Sequence, residues 1–188
     1  FLGGLSAGLF AATAGLDFVG GKRFKRTVEW GAYWSWVIIA LGICMLILDL
    51  GRPERAFNTM LHPHPVSPMS WGSIVIVIFM ILALAYWLAH TGVIVKRVLR
   101  PLWDFLVRLK TILGILGGMF AFMTGAYTGI LLTYARHAVW ASTALPALFL
   151  ASALATGYAL FSVIVERTGE VHGTGLAAKI PMYEVVLG

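Results

Sequence analysis

The chain has 188 residues, of which 60% are hydrophobic and only 12% are charged, and its formal net charge is +6. Soluble domains average about 45–50% apolar and about 25% charged residues, so this composition excludes an ordinary soluble domain and indicates an integral membrane protein. The single cysteine excludes an intrachain disulfide and a cysteine-ligated iron–sulfur cluster within the chain.

Five apolar stretches are each long enough to cross the hydrocarbon core of a bilayer as a helix, which takes about 20 residues. They predict an all-α, polytopic membrane helix bundle that forms a single transmembrane domain over residues 1–188. The predicted helices cover residues 1–19, 30–50, 70–90, 111–135 and 145–165, and a further helix is expected to start near 180–188. Because both ends fall within apolar sequence, we expect this chain to be part of a longer protein.

Positive charge is unevenly distributed between the two ends of the predicted bundle. The end that holds Lys22, Arg23, Lys25 and Arg26 is called the basic end, and the opposite end is called the Asp49 end. Eleven of the 14 lysines and arginines fall at the basic end and three at the Asp49 end. Since Lys and Arg accumulate in cytoplasmic loops, the basic end is predicted to be cytoplasmic. The membrane therefore accounts for the basic loops, and no nucleic-acid partner is expected.

The second helix ends in the stretch LILDLGRPERAF, and the third begins in SPMSWGS, both at the Asp49 end. Asp49 and Arg52 are three residues apart, so they can pair on one helix face. One interpretation is a salt bridge that closes a helix end at the membrane interface. The other is an acid beside a pocket, able to move a proton. Ser70 and Trp71 are predicted at the same mouth of the bundle.

The fourth helix carries two pairs of small residues, Gly114 with Gly118 and Gly125 with Gly129, which allow a neighbouring helix to approach closely. Tyr127 lies about 200° round this helix from Gly125 and therefore on the opposite face. Its position is about 12 Å inside the helix end, at about 1.5 Å per residue. A phenol at that depth needs a hydrogen-bond partner, either a backbone carbonyl or a bound ligand.

The five histidines bear on whether the chain holds a haem or a metal. Axial haem ligation needs histidines on facing helices at matching depth, and no such pair is predicted within the bilayer. His90 is placed at the basic end, whereas His62, His64 and His137 are placed at the Asp49 end and His172 in the last loop. No haem and no metal are therefore expected, a surface site at His62 and His64 being the weaker alternative.

Four stretches that occur in order along the chain, FLGGLSAGLF, LDLGRPERAFN, SPMSWGS and GAYTGILL, resemble a known family. Together they are similar to the NrfD family, which includes the membrane subunit of polysulfide reductase. The resemblance covers residues 1–135 well and the rest by helix pattern.

The resemblance implies a quinone- or quinol-interacting subunit of a respiratory oxidoreductase in the prokaryotic inner membrane, with no redox cofactor of its own. Such a subunit exchanges electrons between membrane menaquinone or ubiquinone and a ferredoxin-like iron–sulfur subunit on the outer face. A molybdopterin catalytic subunit or a multihaem cytochrome lies beyond that subunit. The implied partners also include membrane lipid. The family places its quinone at the outer end of the first four helices, which corresponds to the Asp49 end.

The family uses a tyrosine on its fourth helix and an acid at the end of its second helix, and Tyr127 and Asp49 occupy those positions. The resemblance implies that Tyr127 donates a hydrogen bond to a quinone oxygen and that Asp49 accepts or delivers the accompanying proton. Arg52 is expected to orient Asp49 or keep it ionised. The remaining residues expected to line the pocket are Met69, Ser70 and Trp71.

Two rival interpretations stay open. A proton-translocating channel or transporter-like subunit would use Asp17 and Glu166, both predicted at the basic end, as an inner proton path. A transporter usually shows broken helices and charges near the midplane, and the sequence predicts neither. A passive membrane anchor of a redox complex is the second rival. It predicts no bound quinone and needs no tyrosine at the depth of Tyr127.

Overall fold

Every backbone N–H and C=O inside a bilayer must find its hydrogen-bond partner within the protein, so long apolar stretches become helices. The computed structural model of the chain describes residues 1–20, 24–49, 68–91, 105–134 and 144–168. In that part of the chain the long helices, numbered α1 to α5, are Leu2–Gly20, Lys25–Asp49, Pro68–His90, Lys110–Tyr134 and Ala144–Thr168. All five are long and apolar enough to cross a membrane. This confirms the predicted all-α, polytopic membrane bundle.

The observed bounds of four helices lie close to the predicted ones, and α2 differs most. It begins at Lys25 rather than at residue 30. Its polar first turn is helical and carries an ion pair between Lys25 Nζ and Glu29 Oε1, 3.8 Å apart and one turn apart in sequence. Hydropathy alone misses such a turn because it lies beyond the apolar stretch. The helix predicted near 180–188 lies outside the described residues.

The helix α1 occupies the centre of the bundle. In the ring around it, α2 contacts α3, α3 contacts α4, α4 contacts α5 and α5 contacts α2, while α1 packs against α2, α4 and α5. Large side chains connect α1 to α3: the Phe10 ring centroid lies 5.5 Å from that of Phe79 and 5.2 Å from that of Tyr86, in edge-to-face geometry. The central position explains why a helix rich in glycine and alanine has so many buried residues.

The closest approach between helices is the crossing of α1 and α5. A methyl group on Gly8 would overlap the backbone carbonyl of Ala153, and one on Gly157 would overlap the backbone of Gly8. One turn away, a Cβ on Gly4 would lie 3.2 Å from the Cβ of Ala153. Lipid tails are as apolar as the side chains, so close van der Waals packing of this kind is what holds membrane helices together.

The glycines of α4 behave as two different sets. Gly125 and Gly129 face α5, where added side chains would meet that helix, so the predicted close approach is confirmed for this pair. It is wrong for Gly118, where an added Cβ would have no described atom within 4 Å. Gly114, the other member of that predicted pair, is in contact, since an added Cβ would lie 3.1 Å from the Phe18 ring of α1 and 3.3 Å from the Tyr86 ring of α3. At Gly117, next to Gly118, the Phe10 ring of α1 fills the space.

Buried hydroxyl groups in the bundle donate to helix carbonyls. Ser6 Oγ donates to the carbonyl of Ser35 at 2.7 Å and so ties α1 to α2. Ser35 Oγ donates to the carbonyl of Gly31 at 2.8 Å, and Thr13 Oγ1 to that of Leu9 at 2.7 Å. These bonds satisfy polar groups that no water reaches, which makes them tolerable in an apolar core.

Candidate functional site

Three helices, α2, α3 and α4, carry the residues predicted for the site at the Asp49 end. The helix α2 ends at Asp49, and α3 begins at Pro68. The two helices run in opposite directions and contact each other, so this end of α2 and this start of α3 lie at the same level. Tyr127 lies on α4 about two turns before that helix ends at Tyr134.

The half-buried Tyr127 side chain lies directly against Gly72, near the start of α3. A methyl group on Gly72 would overlap Cζ, Cε2 and the hydroxyl oxygen of the tyrosine. The absence of a side chain at Gly72 therefore creates the space that the phenol occupies. Sequence reasoning selected Tyr127 and missed Gly72. The sequence did carry a signal for Gly72, because it is a glycine in the first turns of an apolar helix and directly follows Trp71, which was predicted for the site.

The other residues predicted for this site differ in how far the structure describes them. Asp49 is the last residue of α2, and Met69 and Ser70 belong to the first turn of α3. Their side chains lie outside the described part of the structure, as does the whole of Arg52. Trp71 is described, and its side chain is 58% exposed on the surface of α3.

A second polar site lies at the basic end, around Asp17 of α1. Tyr86 of α3 donates its hydroxyl to Asp17 Oδ2 at 2.9 Å, and Lys110 of α4 donates its ammonium group to Oδ1 at 2.9 Å. His90 Nε2 lies 3.4 Å from Oδ2. The Asp17 side chain is only 11% exposed, and a buried carboxylate is tolerated only where such partners surround it. We call this group the Asp17 network.

Histidine 90 has a defined orientation within the network. Its Nδ1 lies 2.8 Å from the carbonyl oxygen of Tyr86, and because a carbonyl only accepts, Nδ1 carries a hydrogen. Nε2 is within ion-pair distance of Asp17 but has no aligned hydrogen bond among the described residues. A hydrogen at Nε2 would point His90 at the carboxylate as a second donor.

The two acids predicted for an inner proton path lie on different helices, Asp17 on α1 and Glu166 on α5. The described partners of Asp17 lie on α3 and α4, whereas Glu166 is exposed near the end of α5. Sequence reasoning found Asp17 and missed its partners Tyr86, His90 and Lys110. The spacing of Tyr86 and His90, one helical turn apart at the end of an apolar stretch, was the signal available.

The described residues contain no group of three or more His, Cys, Asp or Glu side chains that could hold a metal ion. The five described helices define a multi-pass helical membrane protein. The chain belongs to the NrfD family: the family model described as "Polysulphide reductase, NrfD" matches residues 1–185. This confirms the resemblance found in the sequence.

Several curated proteins are similar to the chain. It is 28% identical to the C polypeptide of polysulfide reductase from Wolinella succinogenes over 209 aligned positions, which cover 100% of this chain and 64% of that protein. It is 28% identical to protein NrfD of Escherichia coli over 154 aligned positions, which cover 72% of this chain and 47% of that protein. It is 30% identical to the C polypeptide of selenate reductase from Mesobacillus selenatarsenatis over 82 aligned positions, which cover 44% of this chain and 19% of that protein. The chain spans less than two thirds of each relative. No solved structure matches it.

Proposed function

We propose that this chain belongs to a quinone- or quinol-interacting membrane subunit of a respiratory oxidoreductase complex. The subunit exchanges electrons between menaquinone or ubiquinone and a ferredoxin-like iron–sulfur subunit, with a molybdopterin catalytic subunit or a multihaem cytochrome beyond it. Membership of the NrfD family and relatives named as parts of polysulfide and selenate reductases support this class of function.

The sidedness of the subunit is part of the proposal. The basic end faces the cytoplasm of a prokaryotic cell, and the Asp49 end faces outwards, where the iron–sulfur subunit docks. Eleven of the 14 lysines and arginines at one end support this orientation. A quinone site at the Asp49 end is then on the same side of the inner membrane as the partner that exchanges electrons with it.

The observation that carries the proposal is the Tyr127 ring packed on Gly72, at the end where α2 stops at Asp49. The phenol is a hydrogen-bond donor at a depth that a quinone headgroup reaches from the lipid while its tail stays among acyl chains. The first turn of a helix such as α3 has N–H groups that lack helical acceptors, so it adds donors at the same level.

The proposed chemistry needs a donor and an acid at the headgroup, because quinone takes up protons together with electrons. Tyr127 donates a hydrogen bond to a quinone oxygen and so fixes the headgroup. Asp49 accepts or delivers the proton, and Arg52 orients Asp49. The walls of the pocket are formed by Met69, Ser70 and Trp71.

Quinol turnover and quinone content of the intact complex test the proposal. We expect the wild-type complex to retain quinone through purification in mild detergent and to oxidise or reduce a soluble quinone analogue. Tyr127→Phe and Asp49→Asn are expected to lose bound quinone and most of the turnover. The matched control is Gly118→Ala, on the same helix, where an added Cβ would have no described atom within 4 Å. This variant is expected to retain both the bound quinone and the turnover. A wild-type complex with no quinone and no quinone turnover would favour the passive anchor.

A second candidate function is a proton path that starts at the basic end, and the Asp17 network favours it. A carboxylate, an imidazole and a phenol within hydrogen-bonding or ion-pair distance can pass a proton between them. The test is turnover-dependent proton uptake in vesicles that contain the complex and an enclosed pH-sensitive dye. The candidate predicts that Asp17→Asn abolishes uptake while quinol oxidation continues, and Glu166→Gln tests the other predicted acid. Unchanged uptake in both variants would reject it.

A further inference from the structure

A groove opens between α2 and α5 at the basic end of the bundle. The hydroxyl oxygens of Thr27 and Thr168 lie 2.8 Å apart and join the two helices at this end. Beside that contact lies an open cavity of about 580 Å³. A volume of this size is in the range of pockets that bury small ligands, which run from about 300 to about 1,000 Å³.

Two helical stripes form the walls of the groove, each apolar along most of its length and carrying an arginine at the basic end. Residues four apart share one face of a helix, and the α2 stripe follows that spacing. The α2 stripe consists of Arg26, Trp30, Trp34 and Ile38. The α5 stripe consists of Leu160, Val163, Ile164, Arg167 and Thr168.

The mouth of the groove carries positive charge on both sides. Arg26 and Arg167 are exposed and line the groove from opposite helices. The described residues that line the groove include no acidic side chain. Arginines that line a groove from two helices suit a phosphate, which accepts paired N–H bonds from arginine.

The dimensions of the groove match one leaflet of a bilayer. The α2 stripe from Arg26 to Ile38 extends about 18 Å at about 1.5 Å per residue, and the hydrocarbon of one leaflet is about 15 Å thick. Trp30 and Trp34, 47% and 41% exposed, follow the arginine along the stripe. Tryptophan is enriched at this level of membrane proteins, where headgroups meet acyl chains. The groove therefore offers cations at headgroup level and an apolar trough below them.

We propose that this groove binds an anionic phospholipid. Its phosphate lies between Arg26 and Arg167, and one acyl chain lies along the apolar surface between Trp34 and Val163. The lining favours a lipid over a second apolar helix, because a phosphate accepts hydrogen bonds from arginine and an apolar helix surface does not. Anionic lipids are also concentrated in the cytoplasmic leaflet, the side proposed for the basic end. The inference is independent of the quinone site, which lies at the opposite end of the bundle.

Native mass spectrometry of the full-length protein, purified with its complex and stripped of lipid, tests the proposal. The probes are phosphatidylglycerol, which is anionic, and phosphatidylcholine, which carries no net charge. We expect tighter binding of phosphatidylglycerol. Each arginine near a lipid surface contributes roughly a factor of five, so the R26Q/R167Q variant is expected to bind it roughly twenty-five-fold more weakly. Arg108→Gln removes a charge at the same end outside the groove and is expected to change nothing.

A second pair of variants tests the apolar part of the groove without changing its charge. Val163→Trp fills the trough and is expected to weaken phosphatidylglycerol binding several-fold. Ile81→Trp places the same bulk on an exposed position of α3 and is expected to leave binding unchanged. The proposal is overturned if R26Q/R167Q binds phosphatidylglycerol like the wild type or if both lipids bind equally well. Binding of neither lipid also overturns it and indicates that another polypeptide segment covers the groove.

Discussion

Gly72 and Tyr127 show how the absence of a side chain on one helix can position a side chain on another. The tyrosine ring occupies the volume that a β-carbon on Gly72 would need, so packing holds its hydroxyl at the start of α3. A side chain fixed by its neighbours is better suited to orient a ligand than one that samples several rotamers, because less conformational entropy is lost on binding.

The substitution Gly72→Ala tests this positioning role. The added methyl group forces the Tyr127 ring to move, and a displacement of about 1 Å in a positioning group can lower a rate about a hundredfold. We expect a fall in quinol turnover of at least about tenfold with the phenol still present. Steady-state kinetics of the purified complex measure it, with Gly118→Ala as the control in open space. Normal turnover in Gly72→Ala would show that the position of the ring does not matter.

The Asp17 network illustrates the different values of a buried and an exposed ion pair. Asp17→Asn leaves Lys110 and His90 without their carboxylate in a site of low exposure, and breaking such a pair costs about 3 kcal/mol. Glu29→Gln breaks the exposed pair with Lys25 and is expected to cost less than about 0.5 kcal/mol. Thermal denaturation of the two variants in the same detergent compares them. Equal shifts in Tm would mean that Asp17 contributes no more than a surface charge.

At the scale of helices, the α1–α5 crossing determines the packing of the bundle. Gly8 and Gly157 let the two backbones touch, and α1 can lie at the centre only because its α5-facing surface is so small. Gly8→Ala is therefore expected to destabilise the bundle by about 1–3 kcal/mol, the usual cost of overpacking. Gly15→Ala, on the same helix with no described atom within 4 Å of its Cβ, is expected to be neutral. Denaturation in detergent measures the stability of both variants. If Gly8→Ala were as stable as Gly15→Ala, the close crossing of α1 and α5 would be contradicted.

The five helices could be predicted from sequence because hydropathy reports membrane insertion directly, and the face of Tyr127 followed from helical geometry. The contacts between helices were harder to predict. A membrane helix is apolar all round, so periodicity does not show which face is buried. Small residues mark helix faces where another helix can approach closely, but they do not show which of them is in contact. An added Cβ on Gly118 would have no described atom within 4 Å, whereas one on Gly117 would overlap the Phe10 ring. The partners of Asp17 come from two other helices, and only the tertiary arrangement determines that pairing.

In the part of the molecule that the structure describes, charged side chains lie near the ends of the helices, and the buried hydroxyls between them donate to helix carbonyls. The Asp17 network ties α1, α3 and α4 together at the basic end, while Tyr127 and Gly72 lie towards the end where α2 stops at Asp49. In the proposed function, such a layout would keep quinone chemistry near the Asp49 end and leave the basic end for structural ion pairs, lipid binding or proton entry. The proposed function depends on the assignment of quinone chemistry to the Asp49 end.

Photolabelling of the intact complex with an azido-quinone, mapped by mass spectrometry of its peptides, tests the quinone assignment most directly. The account predicts labels at the start of α3, around Gly72, and on α4 around Tyr127, suppressed by excess unlabelled quinone and reduced in Tyr127→Phe. Competed labels confined to the basic end, around Asp17, would contradict it.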